Sequence, residues 1–551
     1  MLLEGCWNPP APPASPAPRT VSGDGSFCAW DGRLDGGAEG VCPEAAALAV
    51  WRRSGADGFR GLVGDWSLAL WDASSQTLVL ASDYAGIRPL YYHFSGGRLL
   101  WASSLAELVR RTGARPLDER FAAEFLALAG SRHTPFPGID CVPPGCAVAV
   151  TAAGLRIHRF WHFPAGAADA PEDERAAELG LLDLFREAVA VRTRPYQRVA
   201  SELSGGLDSS SVVCMAALLG ARLNTFSYTQ ANNTDERYYR AVEQQCGIEG
   251  IHLQLDDYPF ATPEQTGGAA PAWWEPRFRG LAHHLHALGA GVLLTGQLGD
   301  LLMGNVLDDS DQAAGFFRRG HPWQAAREAF GWSQALQIPI YPILWRGLRL
   351  AFSSWAPPGA SDFSPVGLRR AAVEDSLTAP FRRRAREVCQ ATEPHHLDWR
   401  SAPPESRRRW RTLADLLSLR RFQTPEPLLD LSYAHPFAHR PLVESMLTVP
   451  RRFLCRPQEP RRLMRRAFAS LLPPAVLNRR SKADYTAAYS RPLRPMALEM
   501  IRNPGAIRLV ELGFLEPASL RARLDRFTQG LDCNETQLRQ ILLLEFWLRG
   551  S

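Results

Sequence analysis

The stretch Ser204-Gly205-Gly206-Leu207-Asp208-Ser209-Ser210 lies between a short apolar run, "RVASEL", and a helical run, "SVVCMAALLGA". A loop of this composition has the equipment to hold a polyphosphate. Gly205 and Gly206 let backbone N–H groups approach an anion, Ser204, Ser209 and Ser210 offer hydroxyl donors, and the following helix presents its positive end. Asp208 is costly beside phosphate unless a cation intervenes, which makes it a candidate magnesium ligand. The loop lacks the GK[ST] of a Walker motif. A second residue stands out by its rarity: Lys482, in "NRRSKADYT", is the one lysine among 62 basic residues. A lysine retained in an arginine-rich chain supplies what a guanidinium does not, a compact ammonium placed as a point charge beside developing negative charge.

At 551 residues the chain is too long for one ordinary domain, and 46% hydrophobic with 22% charged residues is the balance of a globular protein with two or more cores. The start "MLLEGCWNPP" has neither a basic n-region nor a long apolar run, and no segment offers eighteen uninterrupted apolar residues, so membrane insertion is not expected and a cytoplasmic location is. Ten cysteines without a CxxC spacing are expected to be reduced and mostly buried. A net charge of +5 and the absence of a DNA- or RNA-binding motif argue against nucleic acid, although "SRRRWR", "RRLMRR" and "NRRSK" concentrate basic residues. Those clusters read as solvated faces, or as receptors for phosphate or acidic peptide.

The elements that must position these groups fall into two domains. Residues 1–20 read as a Pro-rich N-terminal tail, of which the proline-dense stretch 8–18 is expected to be extended and to carry no fold. Residues 21–163 alternate apolar and polar residues between Gly, Asp and Ser turns, the pattern of a β-rich domain with a few helices such as "DERFAAEFLALAG". Residues 164–173 read as a linker, and 174–551 as an α/β domain. That second domain opens with the helix "ERAAELGLLDLFREAVAVRT" and runs strand, loop, helix, strand through "RVASEL" and "LNTFSYT", then becomes almost entirely helical from 311 onward. Asp235 and Glu236 follow the second strand, at the edge where open α/β sheets bind nucleotides, and Glu236 is a candidate site residue. Trp273 and Trp274 offer stacking faces, whereas His283, His284 and His286 have no cysteine partners for a metal site.

The SGGLDSS string resembles the pyrophosphatase loop of ligases that split ATP into AMP and pyrophosphate, and in particular the asparagine synthetase family. "TGQLGDLLMGN" is similar to that family's second motif, which implies that Asp300 shares the magnesium with Asp208 and that Gly296 lies against the nucleotide. The C-terminal run "RRLMRRAFASLLPPAVLNRRSKADY" resembles a helical motif whose catalytic lysine falls on Lys482, with Arg465 as a second catalytic candidate. The resemblance implies ATP and Mg2+. It also implies an N-terminal Ntn-hydrolase-like α+β sandwich of the class II glutamine amidotransferase type, followed by a PP-loop ATP pyrophosphatase α/β domain with a largely helical C-terminal part.

Two departures bear on substrate. A glutaminase of that type uses a cysteine as its N-terminal residue, whereas this chain has Leu2, with Cys6 beside the proline-rich tail, so the domain is expected to be a scaffold lacking its nucleophile. Where the glutamine-dependent enzymes have acids flanking the metal-binding aspartate, this chain has Gln297 and Leu301. The strings "ELSGGLDSSSV", "TGxxGDxxxGN" and "HPFxHRPLVE" are most similar to those of lasso peptide cyclases. That resemblance implies adenylation of an Asp or Glu side chain in a core peptide and closure of a macrolactam by the peptide's own amine. Its expected partners are the precursor peptide, a leader-binding (RRE) protein and a leader peptidase. Small-molecule amide ligases of the asparagine or β-lactam type, and a non-catalytic peptide scaffold, remain as alternatives.

Overall fold

A computed structural model gives the fold. It describes residues 2–8, 12–13, 20–36, 42–128, 131–163, 171, 173–230, 233–258, 269–272, 275–304, 311–352, 376–391, 401–479, 490–531 and 535–550. Lys482, Trp273, Trp274 and most of the 164–173 linker lie outside these residues.

The N-terminal domain is a sandwich of two antiparallel sheets. One has the order β1-β7-β6-β8, with β1 Glu4–Trp7, β6 Tyr91–Ser95, β7 Arg98–Ala102 and β8 Ile139–Cys141. The other has the order β10-β9-β5-β4-β3-β2, comprising β2 Thr20–Val21, β3 Phe27–Leu34, β4 Gly64–Asp72, β5 Thr77–Ser82, β9 Cys146–Thr151 and β10 Gly154–Arg159. Alternate residues of both sheets interdigitate between them: Trp7, Phe27, Ala69, Trp71, Leu80, Leu99 and Trp101 form one buried cluster. The Trp7 and Trp71 rings lie 5.3 Å apart. The reading of residues 1–20 as a tail is corrected at its start, ahead of the proline-dense stretch. Leu3 and Trp7 are buried, β1 pairs with β7, and Cys6 faces Leu100 in mid-strand. Only a few residues separate Leu3 from the proline run, too few for alternation to show in the sequence.

The second domain is built on a parallel sheet of order β13-β12-β11-β14-β15, with β11 Val199–Glu202, β12 Leu223–Thr229, β13 Gly250–Gln254, β14 Val292–Leu294 and β15 Ser432–Ala434. Apolar residues fill both faces of these strands, as crossover helices require. Those helices are α4 Glu174–Thr193, α5 Leu207–Leu218, α6 Glu236–Cys246 and α7 Glu275–Leu288, numbered after α1 Pro43–Ser54, α2 Leu105–Thr112 and α3 Glu119–Leu128 of the sandwich. Residues of α4, α5 and α6 pack with Val199 and Val292, whereas α7 packs with Ala200, Phe226 and Leu293 on the other face. β15 is the exception to the helical reading of 311–551. Three residues are too short to register a period, and only their pairing with β14 makes them a strand.

The domains share their cores. The outer face of the six-stranded sheet, with Trp30, Leu68 and Leu70, is continuous with Val213, Trp410 and Phe437 of the second domain. The outer face of the four-stranded sheet, with α3, is covered by the helices Leu493–Arg502, Pro517–Thr528 and Glu535–Gly550. Buried charge crosses the junction as well. Arg88 donates to both oxygens of Asp31 at 3.0 Å and to the carbonyls of Leu429 and Leu431, just before β15. Arg192 of α4 reaches Asp65 of β4 at 2.7 Å. His439, buried beside that arginine, has its pKa lowered to about 3, first by burial and then by Arg192.

Basic clusters read from the sequence as solvated faces are largely structural. Arg409 is buried and donates to the carbonyls of Leu302, Met446 and Leu447; Arg408 pairs with Asp311; Arg462 and Arg466 pair with Glu174. No helix among the described residues is long and apolar enough to cross a membrane. Replacing Arg88 by Met removes the guanidinium from beside a carboxylate only 1% exposed and should cost about 3–5 kcal/mol. Guanidinium denaturation is expected to show one cooperative transition at a clearly lower midpoint; an unchanged midpoint would mean the junction does not depend on this contact.

Candidate active site

Strand order reverses between β11 and β14, and a crevice opens beyond their carboxyl ends at such a point. A cleft of about 500 Å3 lies there, lined among others by Glu202, Ser204, Gly206, Asp208, Ser209, Gly296, Gln297, Asp300 and Leu301. The structure thus brings together the loop after β11 and the loop after β14, which are nearly a hundred residues apart.

Loop geometry follows from its residues. Gly205 has φ +68°, and a Cβ there would lie 2.6 Å from the Tyr238 Cβ, so glycine is required both by conformation and by the approach of α6. Ser204 N–H donates to Ser209 Oγ at 3.1 Å, and Gly206 N–H reaches Ser204 Oγ at 3.4 Å, which shapes the turn into α5. The first-turn N–H groups of α5 have no acceptor within the helix and face the direction an anion would occupy. After β14, Leu298 takes a left-handed φ of 74° as it enters the one-turn helix α8 Gly299–Leu302. A Cβ on Gly299 would fall 2.3 Å from Asp208 Oδ1, so the two loops are in close contact.

Asp208 and Asp300 both line the cleft. Asp300 accepts its neighbour's Leu301 N–H at 2.9 Å, and both Asp208 oxygens lie 2.6 Å from the Arg461 guanidinium. Among the described residues no cluster of three His, Cys, Asp or Glu side chains forms a metal cage. Two carboxylates facing a cleft nonetheless fit magnesium, which commonly takes one or two protein carboxylates and completes its shell with phosphate and water.

Other expected site residues are placed differently. Ser210 is fully buried and outside the cleft lining, as is Gly205. Glu236 is exposed on α6 and pairs with Arg240 one turn on, because the residue turned inward at that helix start is Asp235, held by Arg479. Arg465 donates to the carbonyls of Pro460, Leu477 and Arg479, fastening the chain that leads to residue 480, and does not line the cleft. His435 is buried, bonded to Thr295 at the end of β14.

Three residues at or beside the site were not singled out from the sequence. Arg461, left-handed at φ 52°, and Arg479, whose guanidinium lies 4.2 Å from the Tyr238 ring centre and 3.4 Å from the Ser204 carbonyl, carry no local signal. Glu202 does carry one: an acidic residue ending an otherwise buried parallel strand. Its carboxyl is pushed up to about 7 by burial, which outweighs the opposing Arg277.

The glutamine amidotransferase domain model matches residues 45–161 and the asparagine synthase model residues 180–549, the latter well over half of the chain. An amidotransferase-like sandwich joined to a parallel sheet with a phosphate-binding loop is the architecture of a two-domain synthetase. The chain belongs to the asparagine synthase family. It is 26% identical over 223 residues to asparagine synthetase [glutamine-hydrolyzing] 3 of Bacillus subtilis, covering 38% of this chain and 35% of that protein. It is 27% identical to Amidase chyE of Penicillium rubens, over 46% of this chain and 41% of that one. Against the carboxyethyl-arginine beta-lactam-synthase of Streptomyces clavuligerus the identity is 27%, over 37% of this chain and 38% of that one. The matches span about a third to two fifths of the length of these relatives.

Gly299→Ala adds a methyl group where the Asp208 carboxylate lies while improving helix propensity. Calorimetric titration should show binding of ATP with magnesium weakened tenfold or more at an unchanged melting temperature. Equal affinity would dissociate the Asp208–Gly299 contact from nucleotide binding.

Proposed function

We propose that the protein is an ATP-dependent, AMP-forming amide ligase, and within that class a lasso peptide cyclase. The observation that carries the coarser reading is the convergence of the SGGLDSS loop, the helix start behind it and the two carboxylates on one cleft at the strand-order reversal. For the finer reading, Gln297 and Leu301 stand in the cleft where the glutamine-dependent enzymes have acids, and Cys6 lies in mid-strand in β1, paired with Leu100 of β7. The motif strings around the cleft are most similar to those of lasso cyclases.

In this reading the loop and the start of α5 take the phosphates of ATP, with Ser204 and Ser209 donating from the rim. Asp208 and Asp300 would hold magnesium, which when bound neutralises charge on the triphosphate and the departing pyrophosphate. Arg461 keeps Asp208 oriented. The peptide carboxylate attacks the α-phosphorus, pyrophosphate leaves, and the peptide's N-terminal amine attacks the acyl-adenylate, releasing AMP. Lys482 would stabilise the charge that develops in both steps. Ring closure within one bound peptide depends on holding amine and acyl carbon together, a gain from orientation rather than from added reactive groups. A leader-binding protein and a leader peptidase would deliver the peptide, and the reaction would take place in the cytoplasm.

Likeness to the β-lactam-synthase favours a second reading, closure of a small-molecule amide. Mass spectrometry of synthetic core peptides incubated with enzyme, ATP and magnesium separates the two. Loss of one water from the peptide with AMP formed is expected, and Lys482→Arg and Asp208→Ala should each reduce it at least a hundredfold. An unchanged peptide mass while a small amino acid stimulates AMP release would replace the cyclase by the small-molecule ligase.

A further inference from the structure

Amide formation needs a group to take a proton from the attacking nitrogen, and the amide side chain of Gln297 has no basic lone pair for it. Gln297 instead donates to the Tyr433 hydroxyl at 2.8 Å. At the carboxyl end of β11, Glu202 presents the one glutamate among the described residues of the cleft lining. It lies on the same side of the sheet as Ala200, and the titratable and charged groups that act on it or feel it are Tyr228 of β12, Tyr433 of β15 and Arg277 of α7. Asp208, Asp300 and the exposed Arg421 line the cleft in front of it. Arg277 donates to the Tyr258 carbonyl at 3.1 Å, with its guanidinium 5.0 Å from the Tyr228 ring centre, and its charge opposes the rise in the Glu202 pKa.

Among the described residues no hydrogen bond reaches the Glu202 carboxylate, although the residue is half-buried. A buried carboxylate normally has its lone pairs satisfied within the protein. One that lines a reaction cleft without such a partner is placed to receive a donor from the substrate. Burial and the nearby glutamate hold both Tyr228 and Tyr433 neutral.

We propose that Glu202 is the catalytic base of the amide-forming half-reaction, binding the attacking amine and taking its proton. The assignment rests on the amide-ligase reading of the cleft. The neutral amine forms a C–N bond to the acyl carbon, the bond from that carbon to the AMP phosphate oxygen breaks with its electron pair leaving on AMP, and the proton lost by nitrogen passes to the Glu202 carboxylate and then to water. No other reactant is required. A carboxyl raised to about 7 is matched to this task near neutral pH, since it is basic enough to accept the proton and still largely ionised just above neutrality.

The experiment compares wild type with Glu202→Gln, which preserves shape, and Glu202→Asp. The substrates are a panel of synthetic linear peptides with an N-terminal glycine and one downstream Asp or Glu at varied positions. Adenylation is read as peptide-dependent ATP–pyrophosphate exchange, ring closure as loss of one water, and capture of the adenylate by hydroxylamine as hydroxamate. Hydroxylamine is largely unprotonated at neutral pH and needs little help from a base. Glu202→Gln should keep exchange and hydroxamate formation within about threefold of wild type and lose ring closure about 10²-fold or more. Its closure rate should also lack the wild-type rise with pH near 7, and Glu202→Asp should recover part of the closure. Unimpaired closure in Glu202→Gln, or exchange falling together with closure, overturns the assignment. Should no peptide support exchange in wild type, the ring-closing reading falls, and the same assays with aspartate and ammonium decide the Glu202 assignment. Absence of exchange with every acid overturns both.

Discussion

The reversal of strand order between β11 and β14 is the constraint on which the site depends. Two parallel neighbours whose following chains turn to opposite sides cannot close the space above their ends, so the fold leaves a crevice there before any functional residue is chosen. The connection after β11 runs through α5 to β12; the chain after β14 continues away toward β15. Gly296 and Gly299 then let the two loops come close enough for their aspartates to share the cleft.

Electrostatics at the crevice is organised by arginines that are themselves pinned. Arg461 sits against Asp208 and is 3% exposed, Arg479 ties the phosphate loop to Asp235, and Arg465 fastens the backbone before residue 480 by its carbonyls. A planar, multiply bonded guanidinium suits such bracing, whereas a lysine ammonium on a flexible stem does not. The use of arginine at these bracing positions follows from that difference.

Much of this was legible before the structure. The phosphate loop, its flanking strand and helix, the crossover pattern and the second-motif aspartate all have local signatures, because glycine conformations and helix starts are written in adjacent residues. What escaped notice was non-local or too short. β15 exists only through pairing with β14, β1 is hidden against a proline run, and Arg461 acquires its role by folding back over 250 residues onto Asp208. Glu236 illustrates the converse. Its position after a strand pointed to the crevice, but helix phase turned Asp235 inward and left Glu236 in solvent. Glu202 was readable as an acid ending a buried strand, yet that no donor among the described residues reaches its carboxylate is a property of the assembled neighbourhood.

The shared core of the sandwich and the helix Glu535–Gly550 has a consequence for synthesis. The outer face of the four-stranded sheet and α3, with Tyr91, Leu100, Phe121 and Phe125, is covered by residues more than four hundred positions later, including Leu538 and Trp547. As the chain leaves the ribosome, the sandwich can form its inter-sheet core while this apolar face still waits for its cover. Cotranslational folding of the first domain therefore passes through a long interval in which an aggregation-prone surface is shielded only by chaperones or by transient contacts. The amidotransferase-like domain is thus half of a core that only the rest of the chain completes.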